Sequence, residues 1–292
     1  SYLSDRTQVV KCHGKMSQSR DINIGVPQGS VLGPVLFTIF INDIVRHVDI
    51  ASVNLYADDT LIYCTGITVQ EVNEKLQACI DDVSLWYDGN RFLLNTSKSN
   101  TMLIGSKRKL ANTDDELNIM LNDAILDNVV TCDYLGIRID ETLSWNEQVT
   151  KLCKSLSLKV SKLRRLKQQL PRHIIVQLYN SYIQPCIDYV IAVWGNSTDC
   201  NIRRVRHFQN MAARIVENNW DYINIRGIDI VKELNWMNVN ERCEYLQCLL
   251  MFKCLHGLAP DYLSSQIVMV KDINERDTRS HDMNVYKERA TS

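Results

Sequence analysis

Two stretches separated by a short linker, GVPQGSVLGPVLFTIFINDI (25–44) and NLYADDTLIY (54–63), decide how this 292-residue chain is read. Residues 25–34 of the first hold three of the eleven Gly and two of the five Pro, so they form a specialised loop. Its glycines let backbone approach a ligand without side-chain obstruction. Gln28, beside Gly29, offers a donor and an acceptor there. The plainer reading is a tight strand-to-helix turn. Pro34 sits where a helix can start, and apolar residues at 35, 36, 39, 40, 44, 45 and 48 follow helical spacing. In the second stretch, Val53, Leu55 and Ala57 alternate on one arm, and Leu61 and Tyr63 on the other. The pattern predicts a β-hairpin with Asp58-Asp59 at its tip. A lone Asp pair is most simply a turn, because Asp bonds the local backbone. Two carboxylates there repel each other and gain nothing from a core. As hard oxygen ligands they suit Mg²⁺, with Mn²⁺ a further fit. Two such ions roughly 3.5–4 Å apart can activate a hydroxyl and stabilise a leaving pyrophosphate.

Outward from this centre, residues 7–24 read as an extended pair turning at His13-Gly14. Thr68-Val69-Gln70-Glu71 is a capping box. It opens a helix over 69–88 with an apolar stripe of Val69, Val72, Leu76, Cys79, Ile80, Val83 and Trp86. Strands are expected near 101–105, 117–121 and 134–139, around a charged loop at 106–116. From Ser144 the pattern becomes continuously helical. Ser144-Trp145-Asn146-Glu147 reads as a second capping box. Val149, Leu152, Cys153, Leu156, Val160 and Leu163 form one face, with Lys151, Lys154, Lys162 and Arg165 opposite. Further helices are expected over 172–184, ending before Pro185, over 200–218, carrying Arg203, Arg204, Arg206 and Arg214, and over 238–256. The tail after 270 is polar and reads as loosely held.

Composition narrows the function classes. At 45% hydrophobic and 23% charged, the chain is globular and not low-complexity. Its densest apolar run, 35–41, is far short of the roughly 18 residues of a membrane span. The ten Cys show no CxxC pair, which suits reduced thiols and an intracellular setting, nuclear or cytoplasmic. The first residue is not Met, so the chain is expected to begin inside a longer protein. The net charge of −1 is unevenly spread. Residues 142–214 carry 12 Lys/Arg against 3 Asp/Glu, a net of +9, while every other block is acidic. Such a block suits a polyanion partner, or else a solvated helical face. Cys243, Cys248, Cys254 and His256 lack zinc-ligand spacing and sit on an apolar helical pattern, so core packing is expected for them.

The two opening stretches resemble motifs B and C of reverse transcriptases, in the style of jockey-like non-LTR retrotransposons. FLLNTSKSNTMLIG (92–105) resembles motif D and CDYLGIRID (132–140) motif E. LYNSYIQPCIDYVIAVWGN (178–196) and RRVRHFQNMAARIV (203–216) resemble the thumb and the region beyond it. The resemblance implies an α+β fold: a palm over 1–141, an antiparallel sheet with two packed helices and lacking fingers and motif A. A helical thumb over 142–199 and a helical extension over 200–292 follow. It implies an RNA-directed DNA polymerase using Mg²⁺ or Mn²⁺, an RNA template, a DNA primer and deoxynucleoside triphosphates, without a membrane. By position, Asp58 matches the metal-binding first Asp, and Asp59 the more permissive second. Tyr56 matches the residue near the primer terminus, and Gln28 and Gly29 border the incoming nucleotide and template base. Lys98 matches a proton donor to pyrophosphate, with an exposed strand-edge lysine as the alternative. Tyr134, Leu135 and Gly136 match the primer grip, with a plain hairpin core as the alternative. Lys151, Lys154, Lys162 and Arg165 are expected to lie along a nucleic-acid backbone, making about four to six phosphate contacts with their neighbours.

One departure matters. No F-x-D-x-x-x-A-F pattern of motif A occurs, and Asp5 and Asp21 lie in polar surroundings too close to motif B to replace its Asp. The chain alone is therefore expected to be inert, needing an upstream fingers and motif A segment of a parent polyprotein. A non-catalytic nucleic-acid-binding module and a translated remnant are the competing readings.

Overall fold

The structure, a computed structural model, describes residues 2–113 and 115–269, so the tail expected to be loose lies outside the described residues. The chain divides into two compact units, Ser1–Val130 and Thr131–Ser292. The boundary expected at 141/142 falls later than this division, and the motif E segment groups with the helices.

In the first unit, β1 (Arg6–Gln8) pairs with β4 (Arg20–Ile22), and β2 (Lys11–Cys12) with β3 (Lys15–Met16) around the expected His13-Gly14 turn. Helix α1 (Gly33–Ile41) runs into a 3₁₀ turn over Asn42–His47. The hairpin β5 (Ser52–Tyr56) and β6 (Asp59–Tyr63) follows, then α2 (Val69–Gly89). Thr68 caps α2 by accepting from the Glu71 amide, while the Glu71 carboxylate accepts from Ile67 N–H at 2.8 Å. Helix α2 organises the unit because it is apolar on two sides. Cys79, Val83, Trp86 and Tyr87 close over Ile41, Ile44 and Val48, with Val53, Leu55 and Ile62 of the hairpin against them. Val69, Val72, Leu76 and Ile80 pack instead against Leu117, Ile119, Leu121 and Leu126.

The strands are shorter than expected. The 101–105 strand contracts to β7 (Asn100–Thr101), followed by the short helix α3 (Lys107–Ala111), and the 117–121 strand contracts to β8 (Met120–Leu121). β8 pairs with β9 (Ala124–Ile125), and β7 pairs in parallel with β10 (Asp127–Asn128). The expected continuous antiparallel palm sheet is thus replaced, among the described residues, by separate two-stranded ladders. The unit is a mixture of helices and small sheets.

The second unit opens with β11 (Thr131–Tyr134) and β12 (Ile137–Asp140), a hairpin where a single strand over 134–139 was expected. Helix α4 (Asn146–Leu166) lays Val149, Leu152, Leu156, Val160 and Leu163 into the main core. Its start is not the expected Ser144 capping box. Trp145 takes a left-handed backbone, and the buried Asp140 carboxylate does the work instead. It accepts from Thr142 Oγ1 at 2.7 Å, Ser144 N–H at 2.9 Å and Trp145 N–H at 2.8 Å. Burial works to raise its pKa, but these donors outweigh that and hold it below the ordinary carboxylate value.

The expected 172–184 helix is α5 (Arg172–Leu178), a π-helical turn over Tyr179–Ile183, and α6 (Gln184–Asp188) with Pro185 in its first turn. Proline has no N–H for the helical ladder, and the widened turn absorbs the defect. α7 (Ile191–Trp194), α8 (Asp199–Glu217), α9 (Gly227–Glu233), α10 (Val239–Leu255) and α11 (Asp261–Ser264) complete the unit. α8 lies along α4 in one shared core. All ten cysteines are free; on α10, Cys243 is buried, but Cys248 is exposed, against the expectation of core packing. No described helix is long and apolar enough to cross a membrane.

Candidate functional site

The β5–β6 ladder fixes where the paired carboxylates stand. Tyr56 pairs with Asp59, and Ala57 and Asp58 form the two-residue turn between them. Val53 faces Ile62 and Leu55 faces Thr60 across the ladder, and these residues form the inward face. Thr60 Oγ1 lies 3.1 Å from the Tyr87 hydroxyl of α2, seating the hairpin on that helix. The inward residues of the second arm are therefore Thr60 and Ile62, where Leu61 and Tyr63 were expected; Tyr63 is exposed. By the same alternation Tyr56 and Asp59 face away from the core, and both are exposed, as is Asp58. Ala57 closes the tip with φ +53°, a left-handed backbone disfavoured for a residue with a Cβ.

Neither Asp58 nor Asp59 makes a side-chain hydrogen bond or ion pair among the described residues. Two uncommitted carboxylates on an exposed tip are hard oxygen donors of the kind that suit a divalent cation. Among the described residues no group of three or more His, Cys, Asp and Glu is gathered to hold a metal. By donor chemistry, the pair alone would fit one divalent cation.

The Gly/Pro loop is a compact turn into α1. Ser30 donates from its hydroxyl to the Pro27 carbonyl at 2.7 Å and accepts the Gly33 N–H at 3.1 Å. A Cβ on Gly33 would stand 2.9 Å from Ser30 Oγ, so a side chain there would push the Ser30 hydroxyl out of its two hydrogen bonds. Gly29 has φ +78° with open space beside it, and Gln28 is exposed. Lys98 ends a 3₁₀ turn (Thr96–Lys98), not a strand edge, and is exposed. No hydrogen bond or ion pair links Gln28, Lys98 and the hairpin carboxylates among the described residues.

In the second unit, Tyr134 and Ile137 close β11–β12, and Leu135-Gly136 form the turn with φ +46° and +82°. The turn is anchored. The Tyr189 hydroxyl donates to the Leu135 carbonyl at 2.5 Å, and the Lys151 ammonium to the Gly136 carbonyl at 3.2 Å. Lys151 also meets Asp133 at 2.8 Å, and Arg138 meets the same carboxylate at 2.6 Å. Hydrogen bonds from Arg138 and then Lys151 bring the Asp133 pKa down to about 2. Lys151 thus belongs to a hairpin clamp, whereas Lys154, Lys162 and Arg165 are exposed and without partners among the described residues.

Arg214 is turned inward as well. It is buried and donates to the carbonyls of Asn219, Asp221 and Ile225. Arg204 reaches Thr150 Oγ1 at 2.8 Å. Sequence reasoning missed these internal roles, and Asp140's, because the partners are set by tertiary packing or by turn geometry.

The reverse transcriptase (RNA-dependent DNA polymerase) family matches residues 1–139. The chain is 26% identical over 239 residues to the RNA-directed DNA polymerase from mobile element jockey of Drosophila melanogaster, covering 78% of this chain and 26% of the relative. It is 26% identical over 227 residues to the probable RNA-directed DNA polymerase from transposon X-element of the same organism, covering 74% and 24%. The corresponding protein from transposon BS of that fly is 27% identical over 252 residues, covering 83% and 27%. The chain thus spans about a quarter of the length of these relatives. No solved structure matches it significantly.

Proposed function

Since residues 1–139 belong to the reverse transcriptase family and the chain is of the jockey-like, non-LTR kind, we propose that it forms the catalytic-hairpin and thumb part of a retrotransposon RNA-directed DNA polymerase. The observation that carries the reading is the hairpin tip: Tyr56, Asp58 and Asp59 exposed together on a ladder anchored to α2. A divalent ion, Mg²⁺ or Mn²⁺, held there by Asp58 and Asp59 would offset charge on a triphosphate and its leaving pyrophosphate. Tyr56 presents its ring beside Asp59 toward the primer terminus. The Gly29 backbone and Gln28 border the incoming nucleotide. Lys98 supplies a proton to pyrophosphate. Tyr134, Leu135 and Gly136 hold the primer strand, their turn stiffened by Tyr189 and Lys151.

Phosphoryl transfer rests on positioning and charge stabilisation. With two carboxylates and, among the described residues, no third gathered beside them, the chain is expected not to polymerise unaided. It requires a segment carrying motif A, supplied by the parent polyprotein. Lys154, Lys162 and Arg165 follow the phosphates of a primer–template duplex. Because Lys151 is committed to Asp133, about three contacts are expected, not four to six. The log–log dependence of affinity on salt should then have a slope of roughly −3. Replacing these three residues with Gln should flatten it toward zero. An unchanged slope would reduce the stripe to a solvated face and favour the translated remnant.

A further inference from the structure

Beyond the C-terminus of α8, the segment 218–226 carries two aromatic rings that no core explains. Trp220 is 37% exposed, Tyr222 64% and Ile223 94%. Each ring is backed by a guanidinium. Arg164, in the last turn of α4, lies 4.7 Å from the Trp220 ring centroid. The buried Arg214 lies 4.3 Å from that of Tyr222. The two ring centroids are 6.4 Å apart, inclined at 44°. Asp221 holds the backbone between them by accepting from Ile223 and Asn224 N–H. Lys167 ties α4 to the end of α8 through the Val216 carbonyl at 2.9 Å, so the ring pair is fixed to the helix that carries Lys154, Lys162 and Arg165.

We propose that Trp220 and Tyr222 form a stacking platform for unpaired bases of a single-stranded nucleic acid. Base–aromatic stacking needs an open π-face and tolerates any sequence. An Arg beneath the ring supplies the rigid backing and the positive field. Arg164, exposed beside Trp220, supplies phosphate attraction, and this charge complementarity selects a nucleic acid over an apolar protein partner. The inference rests on the proposed backbone role of Lys154, Lys162 and Arg165. It goes further in assigning base contacts to a separate loop and in choosing single strands over duplex.

The test compares the full chain with a Trp220→Ala/Tyr222→Ala double variant. Ligands are a fluorescent single-stranded RNA oligonucleotide and a blunt DNA duplex of equal length, across a salt series. The variant should bind the single strand roughly ten-fold more weakly. Duplex affinity and the salt slope should stay as in the parent chain, because a paired base cannot reach the rings and no phosphate contact is lost. A Trp220→Phe/Tyr222→Phe variant should recover most of the affinity. Equal losses on both ligands would mean that the substitutions only disturb folding, and unchanged single-strand affinity would mean that the rings do not touch bases. Either result overturns the proposal. If the parent chain binds neither ligand, the backbone reading and the platform both fail; if duplex binding depends on Lys154, Lys162 and Arg165 while the ring variants bind single strands normally, only the platform fails.

Discussion

Replacing Asp140 with Ala should unseat the start of α4. The carboxylate is 7% exposed and accepts from two hydroxyl or amide groups of Thr142 and from the amides of Ser144 and Trp145. A hydrogen bond to a charged group contributes roughly 1.5–3 kcal/mol. Four donors share one carboxylate and the loop can partly rehydrate, so the sum is not additive. A loss of about 3 kcal/mol is expected, above the roughly 0.5–2 kcal/mol of an ordinary cap because the acceptor is a buried charge with four donors. Asp140→Asn keeps one acceptor oxygen and should lose about half as much. Urea denaturation followed by helical circular dichroism measures the loss, and hydrogen exchange at residues 145–150 locates it. Acid sharpens the test. Asp140's folded pKa lies below its unfolded value, so its contribution is complete above about pH 4. It fades as pH falls through the lower folded pKa, and the gap between parent and Ala variant should narrow there. A loss under 1 kcal/mol, or a gap that widens on acidification, would refute the capping account.

Other outcomes follow from the same geometry. Leu135→Asn should stabilise the second unit by about 1 kcal/mol, since Leu135 sits at φ +46° before Gly136 and Asn-Gly suits such a turn; a lower urea midpoint would contradict this. Gly195→Ala should cost about 3 kcal/mol, because the new methyl would collide with the Cys243 sulfur and the Ile191 carbonyl; a thermal melt measures it. Asp133→Asn should abolish a small acid-dependent stabilisation, present above about pH 4 and lost as pH falls toward 2. With the pair nearly half exposed, solvent screening limits it to roughly 0.5–1 kcal/mol, read from urea midpoints at pH 2 to 6.

Periodicity carried much of the secondary structure. The helices expected over 69–88 and over 200–218, and the helical start at Ser144, lie within two residues of α2, α8 and the start of α4. The hairpin was legible because β-forming residues flank the Asp pair on both sides, but its turn falls one residue earlier than expected, at Ala57-Asp58, with Asp59 already in β6, and the inward face of the second arm shifts with it. Sheet assembly was not, since register between distant strands leaves no local trace; among the described residues β5–β6 pairs only with itself, and β7 finds β10 in parallel. Helical spacing put Lys151 beside Lys154 but could not show that Asp133 would claim it. Arg214 counted toward the basic block, yet its charge serves three carbonyls of the following loop. The Ser144 box failed because Asp140, from the preceding strand, takes the Ser144 amide that the Glu147 side chain would have bonded, and the Trp145 amide beside it. Trp220 and Tyr222 carry no periodicity, so only the fold exposes them as a pair.

Primer extension on an RNA template with Mg²⁺ tests the central claim most directly, using the chain alone, the chain fused behind a motif A-bearing segment of a jockey-type relative, and Asp58→Ala forms of both. The account predicts no incorporation by the chain alone above its Asp58→Ala form, and incorporation by the fusion that Asp58→Ala abolishes. Incorporation by the chain alone above that control, or by the fusion regardless of Asp58, would contradict it.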